Sequence, residues 1–507
     1  YHLEDYNHKP GNINVFAYSA DGYFWQTVKD KDYSNALTGY QKEIEEKTEI
    51  VVDTTAYIND TNAWETVENY SDIDQYIFET EKPYFNRKYP EQTQQKESPE
   101  NLFPLKEIYQ KKFYIDQVVN QVDFGFLNTS YQAFSGGAVY FNPGINGLFK
   151  LGTKDLMEDY KITGGFRVAA DLSSSEFLVS YENLKFKNDR HYIFHFQNFR
   201  EDKPDEKRKT TSTELIAIRT YPRSEAAAWQ LSVKGRYDRI VSLSTSKKYL
   251  QKPNINRYWV NLKGSYIFDN TTTIQTNISK GLRFKIFGEA FYQVNKIKSD
   301  IFIVGADLRY YLPIHKNLIW ANRIAGSSSF GHKQLVYYLG GVDNWVNLSP
   351  GNPTFIPVDE IPLSRSDQYV FQAVATNMRG FPQNIRNGNN FALFNSELRF
   401  PFVSYFNNYP SGSSFWNNLQ LVGFFDLGTA WTGLHPWAGS NEYEYETIEN
   451  GPISITLELH KEPLVAGYGM GLRAKLLGYF VRFDYAWGIE NQKSHPGMFY
   501  FSLSLDF

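Results

Sequence analysis

The feature that most constrains this chain is a series of short segments in which apolar and polar residues alternate strictly. In residues 257–269, for example, Tyr258, Val260 and Leu262 occupy one face and Arg257, Asn261 and Lys263 the other. A period of two places the apolar side chains on one face of a β-strand and the polar side chains on the other. Because this pattern recurs along most of the chain, the sequence predicts an all-β fold whose two sheet faces meet different environments.

Sixteen segments of this kind can be placed. Their predicted bounds are 114–127, 145–153, 159–171, 174–183, 188–201, 212–222, 226–242, 255–269, 281–295, 301–314, 317–331, 389–402, 417–431, 462–475, 477–487 and 497–507. Strands of about ten residues in an even number are typical of bacterial outer-membrane barrels, in which closure leaves no unpaired strand edge in lipid. We therefore predict a 16-stranded antiparallel transmembrane β-barrel of the outer membrane over residues 112–507.

A soluble β-sandwich or propeller would also alternate. Two observations favour the membrane barrel over both. Phe, Tyr and Trp recur at the strand ends of the apolar face, as in the aromatic girdles of outer-membrane barrels. The opposite face carries many Arg, Lys, Asp and Glu residues, whose desolvation in a dry soluble core would be costly.

Composition excludes several other classes. The chain combines 17% aromatic residues with a mean hydropathy of −0.48 and has no cysteine. Its stretch from Pro401 to Phe425 is uncharged, but Asn, Ser, Gly and Pro interrupt it, so no apolar helix long enough to span a bilayer is predicted. The absence of cysteine removes disulfides, thiol nucleophiles and cysteine zinc sites. A net charge of −4 argues against binding of nucleic acid.

Residues 1–111 differ from the rest in composition and in the lack of sustained alternation, and they are predicted to be a periplasmic segment or linker. They contain the charge-rich "QKEIEEKTEI" and the Pro/Gln-rich "YPEQTQQKESPEN". Residues 15–27, "VFAYSADGYFWQT", predict two strands joined by an Asp-Gly turn. No basic region followed by an apolar region begins the chain, so we expect an export signal to have been removed or the chain to be a fragment of a longer one.

The last segment, "GMFYFSLSLDF", alternates up to its final residue. This pattern resembles the carboxy-terminal signal that the insertion machinery of bacterial outer membranes reads. The residues predicted to lie on the apolar face and to form this insertion signal are Phe499, Phe501, Leu503, Leu505 and Phe507. Even as an ordinary last strand, the segment belongs to the barrel.

Residues 332–388 separate the eleventh and twelfth segments and are too long for an ordinary hairpin loop, so a role of their own is expected. Within this predicted extracellular loop, Met378, Arg379, Gly380 and Phe381 resemble the Arg-Gly-Phe motif of the bacterial surface antigen superfamily, the group that contains BamA, TamA and the two-partner secretion transporters. The neighbouring sequences resemble the same family: "YYLGG" before the motif, "FALFNSELRFPF" with Glu397 and "GFFDLGTAW" with Asp426 after it. The resemblance covers about residues 112–507.

The resemblance implies a loop that folds into the barrel. Arg379 would be held there by Asp426 and Glu397 on adjacent strands, as suits a guanidinium fork facing carboxylates. Gly380 would permit close backbone approach, and Phe381 would pack against the wall. The alternative is a solvent-exposed loop arginine beside ordinary interior carboxylates.

The first 111 residues depart from the family pattern. They show no helices of the periplasmic POTRA domains that BamA, TamA and the secretion transporters carry. Instead, "VFAYSADGYFWQT" and "DIDQYIFETEKPYF" resemble the end of a TolB-like β-propeller and its linker, as in relatives from Bacteroidota. The missing blades would then precede residue 1.

The resemblance implies a non-enzymatic barrel in the bacterial outer membrane with its N-terminus in the periplasm. It would assist insertion, assembly or export of outer-membrane or surface proteins, as an accessory or specialised part of a larger complex. Its expected partners are membrane lipids, including lipopolysaccharide, and other outer-membrane or periplasmic proteins, with no nucleic acid and no cofactor. A porin-like channel or a structural subunit of an assembly is the alternative. His191 and His195 share one strand face and could hold a metal, but the spacing is unspecific, and we predict no catalytic or metal site.

Overall fold

The fold was analysed in a computed structural model. The structure describes residues 12–19, 22–29, 111–123, 126–128, 130–134, 146–202, 207–243, 253–346, 354–357, 361, 363–407, 413–438, 441, 443–450 and 453–507. The chain divides into two units, Tyr1–Lys111 and Lys112–Phe507. Among the described residues, no helix is long and apolar enough to span a bilayer.

In the first unit, β1 (Asn12–Ser19) and β2 (Gly22–Lys29) form an antiparallel hairpin. These are the two strands that the alternation at residues 15–27 predicts. The residues between them lie outside the described residues, as do the predicted linkers and the segment "DIDQYIFETEKPYF".

In the described part of the second unit, sixteen strands form one large antiparallel sheet in which each strand pairs with the next in chain order. Their bounds are β3 (Phe113–Asp123), β5 (Asn146–Asp155), β6 (Tyr160–Ala169), β7 (Ser174–Asn183), β8 (Asp189–Asp202), β9 (Lys207–Pro222), β10 (Ala227–Ser242), β11 (Ile255–Asp269), β13 (Ile278–Gln293), β14 (Ile301–His315), β15 (Leu318–Gly331), β19 (Asn390–Pro401), β20 (Gln420–Trp431), β23 (Val465–Leu476), β24 (Tyr479–Glu490) and β26 (Met498–Leu503). The large antiparallel sheet predicted from the sequence is confirmed, with most bounds shifted by a few residues. β9 begins at Lys207 rather than at residue 212, because its polar first residues also pair with β8 and β10.

The two faces of the sheet differ as the alternation predicts. The exterior face carries exposed apolar side chains such as Ile286, Phe302 and Val304. The interior face carries buried polar and charged side chains such as Glu289 and Arg236. Most connections at one end of the sheet, here called the turn end, are short, and the long connection over residues 332–388 lies at the other end, here called the loop end.

The interior contains a second sheet, here called the loop sheet. Its described strands are β4 (Gln132–Ala133), β16 (Gln334–Leu339), β17 (Tyr369–Ala375) and β18 (Arg386–Gly388). β16 and β17 are parallel, and a short 3₁₀ helix, Ser366–Gln368, precedes β17. The long loop is therefore ordered by its own strands, and its apolar side chains pack against interior residues of the large sheet, including Trp259 and Phe291.

The remaining described elements are short. β12 (Thr272–Gln275) extends the turn end beside β13, β25 (Lys493–Ser494) pairs with β24, and β21 (Tyr443–Asn450) pairs with β22 (Ile453–His460) at the loop end. Two helices, α1 (Phe402–Phe406) and α2 (Ser414–Asn417), connect β19 to β20.

The carboxy-terminal segment corrects one expectation. Phe499 and Leu505 are exposed, and Phe501 and Leu503 are half-buried, but Phe507 is only 5% exposed and packs inside against Ile278 and Tyr311. The reason is that β26 ends at Leu503, after which the chain leaves the ladder and turns inward. The alternation alone could not show this, because it continues past the last strand pair.

Candidate functional site: the ion-paired interior

The site is built around Arg379, a buried residue that follows the loop sheet strand β17. Its Nε and Nη2 donate to the two carboxylate oxygens of Asp426 at 2.7 and 2.8 Å, and its Nη1 donates to Glu397 Oε1 at 2.7 Å. The guanidinium carbon lies 3.6 Å from the ring centroid of Phe424. This is the bidentate fork geometry in which Arg recognises a carboxylate, with a cation–π contact added.

The large sheet dictates where these carboxylates stand. Glu397 on β19 and Asp426 on β20 both occupy interior positions of neighbouring strands. Asn395 adds a hydrogen bond from its Nδ2 to Asp426 Oδ1 at 2.7 Å. Burial disfavours the charged guanidinium, but Asp426 and Glu397 outweigh it and raise the pKa of Arg379. The Arg379 guanidinium therefore stays charged across ordinary pH.

Glycines allow the loop to approach the wall this closely. Gly380 has φ +96°, and a Cβ there would lie 2.6 Å from the backbone nitrogen of Gly488. A Cβ on Gly467, in β23, would lie 1.9 Å from the carbonyl oxygen of Arg379. Phe381 is buried and its ring contacts the position that a Gly488 Cβ would occupy. Met378 is also buried and forms a bridge with Gly341.

These contacts predict that Gly467→Ala unseats the loop. No real Cβ can lie 1.9 Å from a carbonyl oxygen, so the Arg379 backbone has to move and its fork with Asp426 is lost. We expect the purified variant to be inserted but to lose protection of the loop against limited proteolysis. Gly423→Ala is the matched control, because nothing lies within 4 Å of its Cβ position. Equal protection of both variants would contradict the close approach.

The ion pairs continue toward the turn end, through residues that sequence reasoning did not assign to this site. Arg399 Nε donates to Glu397 Oε2 at 2.9 Å, and its Nη2 donates to the Phe507 carbonyl oxygen at 3.0 Å. Arg473 Nε donates to Asp506 Oδ2 at 2.8 Å, and Arg482 Nε lies 3.3 Å from Asp506 Oδ1. Spacing could have identified Arg399. It lies two residues after Glu397 and therefore shares the interior face of β19 with it.

A hairpin closes over this network at the turn end. β12 and β13 form it, with Asn277 in its turn at φ 68°. Asn277 Nδ2 donates to Asp506 Oδ2 at 2.8 Å and to Gln420 Oε1 at 3.1 Å, and its Oδ1 accepts from the Asp506 backbone nitrogen at 3.0 Å. Arg399 Nη1 also donates to the Asn277 carbonyl oxygen at 3.1 Å. The hairpin and the inward-turned carboxy-terminal residues thus hold one another inside the turn end.

The segment after β3 is held to the opposite wall. The Leu127 backbone nitrogen donates to Glu176 Oε2 at 3.0 Å, and Ser130 Oγ donates to Glu214 Oε1 at 2.5 Å. His195 lies between these two carboxylates, with its ring nitrogens 2.8 and 3.3 Å from them. His191 instead faces Glu182 at 3.8 Å. The two histidines are thus in separate contacts, and among the described residues no group of His, Asp and Glu could hold a metal ion.

A protein family and several solved structures are similar to this chain. The Omp85 superfamily domain matches residues 163–507. No curated protein sequence matches the chain. Similar solved structures include BamA from Haemophilus ducreyi lacking POTRA domains 1–3, with a TM-score of 0.46 and 13% identity over 76% of this chain and 74% of that chain. CdiB from Acinetobacter baumannii has a TM-score of 0.39 and 14% identity over 71% and 57% of the two chains. CdiB from Escherichia coli has a TM-score of 0.38 and 12% identity over 76% and 67%.

Proposed function

The chain belongs to the Omp85 superfamily, and from this premise we propose that it assists insertion, assembly or export of outer-membrane or surface proteins. Members of this family are outer-membrane β-barrels. In the proposal, the turn end and the N-terminus lie in the periplasm, and the exterior face meets the lipids of the outer membrane, including lipopolysaccharide. The protein acts as an accessory or specialised component of a larger complex with other outer-membrane or periplasmic proteins. We also propose that a TolB-like propeller, as in relatives from Bacteroidota, precedes the barrel.

The observation that carries the proposal is the short last strand of the large sheet, β26. It spans only Met498–Leu503, whereas the first strand of that sheet, β3, spans Phe113–Asp123. The edge at which β26 would meet β3, here called the seam, therefore offers few hydrogen bonds to break, and a strand edge that opens offers a template for an incoming strand. The Tyr479 hydroxyl, on β24, donates to the Val122 carbonyl of β3 at 2.8 Å and links the first strand to the last ones. Such a seam suits a barrel that receives client strands.

Within this proposal, Arg379 holds the loop sheet beside the strands that precede the seam. Asp426 and Glu397 receive its guanidinium, Gly380 permits the approach and Phe381 packs against β24. The outward residues of β26 and the segment after it, Phe499 and Leu505 among them, serve as the insertion signal.

Photo-crosslinking in cells tests the seam. A photoreactive residue at Val118 on β3 or Phe499 on β26, both exposed on the exterior, is expected to capture newly made outer-membrane barrels. The same residue at Ile286 on β13, also exposed but far from the seam in strand order, is the matched control. Capture at Ile286 as efficient as at the seam, or capture at none of the three positions, would contradict the proposal.

The alternatives are a porin-like channel and a structural subunit of an outer-membrane assembly. The loop sheet inside the barrel argues against a wide steady pore. A structural subunit would crosslink to one mature partner at a fixed position instead of to nascent clients. Copurification from native membranes would reveal that partner.

A further inference from the structure

The connection between β19 and β20 stands out at the turn end, where other strands are joined by a few residues. It contains α1 and α2, and it lies within the uncharged stretch from Pro401 to Phe425. The proposed strand-pairing function assigns no role to this connection. Four of its aromatic side chains, Phe402, Tyr405, Phe406 and Trp416, together with Phe400 near the end of β19, are here called the aromatic foot.

Four rings of the aromatic foot form one cluster. The ring centroid of Phe400 lies 4.7 Å from that of Tyr405, 5.9 Å from that of Phe406 and 6.1 Å from that of Phe402. Although they touch one another, they remain open to the outside: Phe406 is 64% exposed. Trp416, from α2, is 52% exposed. An aromatic surface of this kind needs a partner, because isolated soluble surfaces seldom leave so many rings in water.

The position of the cluster identifies the partner. Phe400 occupies an exterior position of β19, opposite Leu421 on β20, and Leu398 precedes it on the same face. Leu398 and Leu421 are both exposed on the exterior. The aromatic foot is therefore continuous with the lipid-facing wall of the barrel and extends it beyond the strand ends, at the level where aromatic rings meet the membrane–water interface.

The polar groups around the rings fit the same partner. Lys316, in the turn between β14 and β15, places its Nζ 5.2 Å from the Tyr405 ring centroid and 3.3 Å from the Tyr405 carbonyl oxygen. On the interior side, Ser404 Oγ donates to Gln275 Oε1 at 2.9 Å, and Gln275 Nε2 donates to the Asn417 carbonyl. Thus the helices fasten one side to the β12 hairpin and turn their rings outward, as in an interfacial amphipathic segment.

We propose that the aromatic foot is a phospholipid-binding site. Its rings lie among the glycerol and upper acyl-chain groups of the leaflet at the turn end, and the Lys316 ammonium faces lipid phosphates. The site fixes the depth of the barrel on the side of β19 and β20, and it does so whether or not the seam admits client strands.

A cysteine-free chain makes the test direct. Phe406→Cys provides the only thiol, which is labelled with an environment-sensitive fluorophore, and the protein is reconstituted in liposomes of phosphatidylethanolamine and phosphatidylglycerol. We expect emission typical of an apolar site, strong quenching by lipids that carry a nitroxide near the head of the acyl chain, and weak quenching by iodide. Leu434→Cys, on a loop-end residue that is 98% exposed, is the matched control and should show strong iodide quenching.

Pure liposomes contain no other protein, and quenching by lipid nitroxides distinguishes shielding by lipid from shielding by the chain itself or by a second copy. If the label at position 406 is as open to iodide as the label at position 434 and lipid nitroxides do not quench it, the aromatic foot faces water or a protein partner and the proposal is overturned. Trp416→Cys repeats the measurement from α2 if the first variant does not insert, with the same two outcomes. Failure of the seam crosslinks would leave this result unaffected.

Discussion

Arg379→Ala is expected to release the loop sheet from the wall while the barrel stays inserted. The substitution leaves Asp426 buried without its cation and leaves Glu397 with Arg399 alone. Removing one partner of a buried ion pair costs about 3–5 kcal/mol. That is about a hundredfold or more in the equilibrium between the seated and released loop. The sixteen-stranded ladder contains none of the lost hydrogen bonds, so insertion should survive.

Two measurements separate these effects. Heat-modified gel mobility reports the folded barrel and should match wild type, whereas chymotrypsin should cleave the released loop at aromatic residues that β16 and β17 otherwise bury, and activity should fall. Arg365→Ala is the matched control, because Arg365 lies in the same loop but is exposed. A wild-type protease pattern and wild-type activity for Arg379→Ala would show that the fork does not hold the loop.

The strands and the fork could be anticipated from two different signals, alternation and a motif. Alternation fixes which face each residue takes once a strand is identified, so Glu397 and Asp426 could be placed on the interior without knowledge of the rest of the molecule. Arg379 depended on a motif instead, because a loop residue carries no periodicity. Both kinds of signal are local in sequence.

Several contacts that the sequence did not predict join residues far apart in the chain. β4 is only two residues long and shows no alternation, yet it adds an edge to the loop sheet through Phe371 and Gln372. Asn277 meets Asp506 across 229 positions of the chain. The alternation predicted an outward Phe507. Its neighbour Asp506 instead forms hydrogen bonds with Arg473 and Asn277 in the interior, and Phe507 turns inward with it. The sequence around such a residue does not show which polar side chain it will contact in the interior.

The interior can hold many charged side chains because these side chains form ion pairs. Arg379 contacts Glu397 on the large sheet, Arg473 contacts Asp506 on the carboxy-terminal segment, and Arg399 contacts Glu397 on its own strand. Pairing offsets the desolvation of these charges, and the first two pairs also join the loop and the carboxy-terminal segment to the large sheet. The network therefore has two ends, with the loop sheet at Arg379 and the turn-end hairpin at Asn277.

Two closures in series should each suffice to keep the barrel shut, and this predicts a synergy between variants. Asn277→Gly removes the amide that joins the hairpin to Asp506 and Gln420 but keeps the positive φ of the turn, because Gly adopts it without strain. Each lost hydrogen bond costs about 0.5–1.5 kcal/mol, and more where Asp506 is the charged acceptor. The hairpin should then swing away from the turn end, while the loop sheet still fills the interior.

In planar bilayers we therefore expect small conductance from wild type, from Asn277→Gly and from Arg379→Ala, and large, long-lived openings only when both substitutions are combined. Leu477→Gly, at an exposed turn-end position with φ 51°, controls for added backbone freedom and should leave conductance unchanged with or without Arg379→Ala. Because serial barriers each suffice to block ions, a single variant that conducts as well as the double variant would show that its closure alone seals the barrel. A large, steady pore in the wild type would instead favour the porin-like alternative.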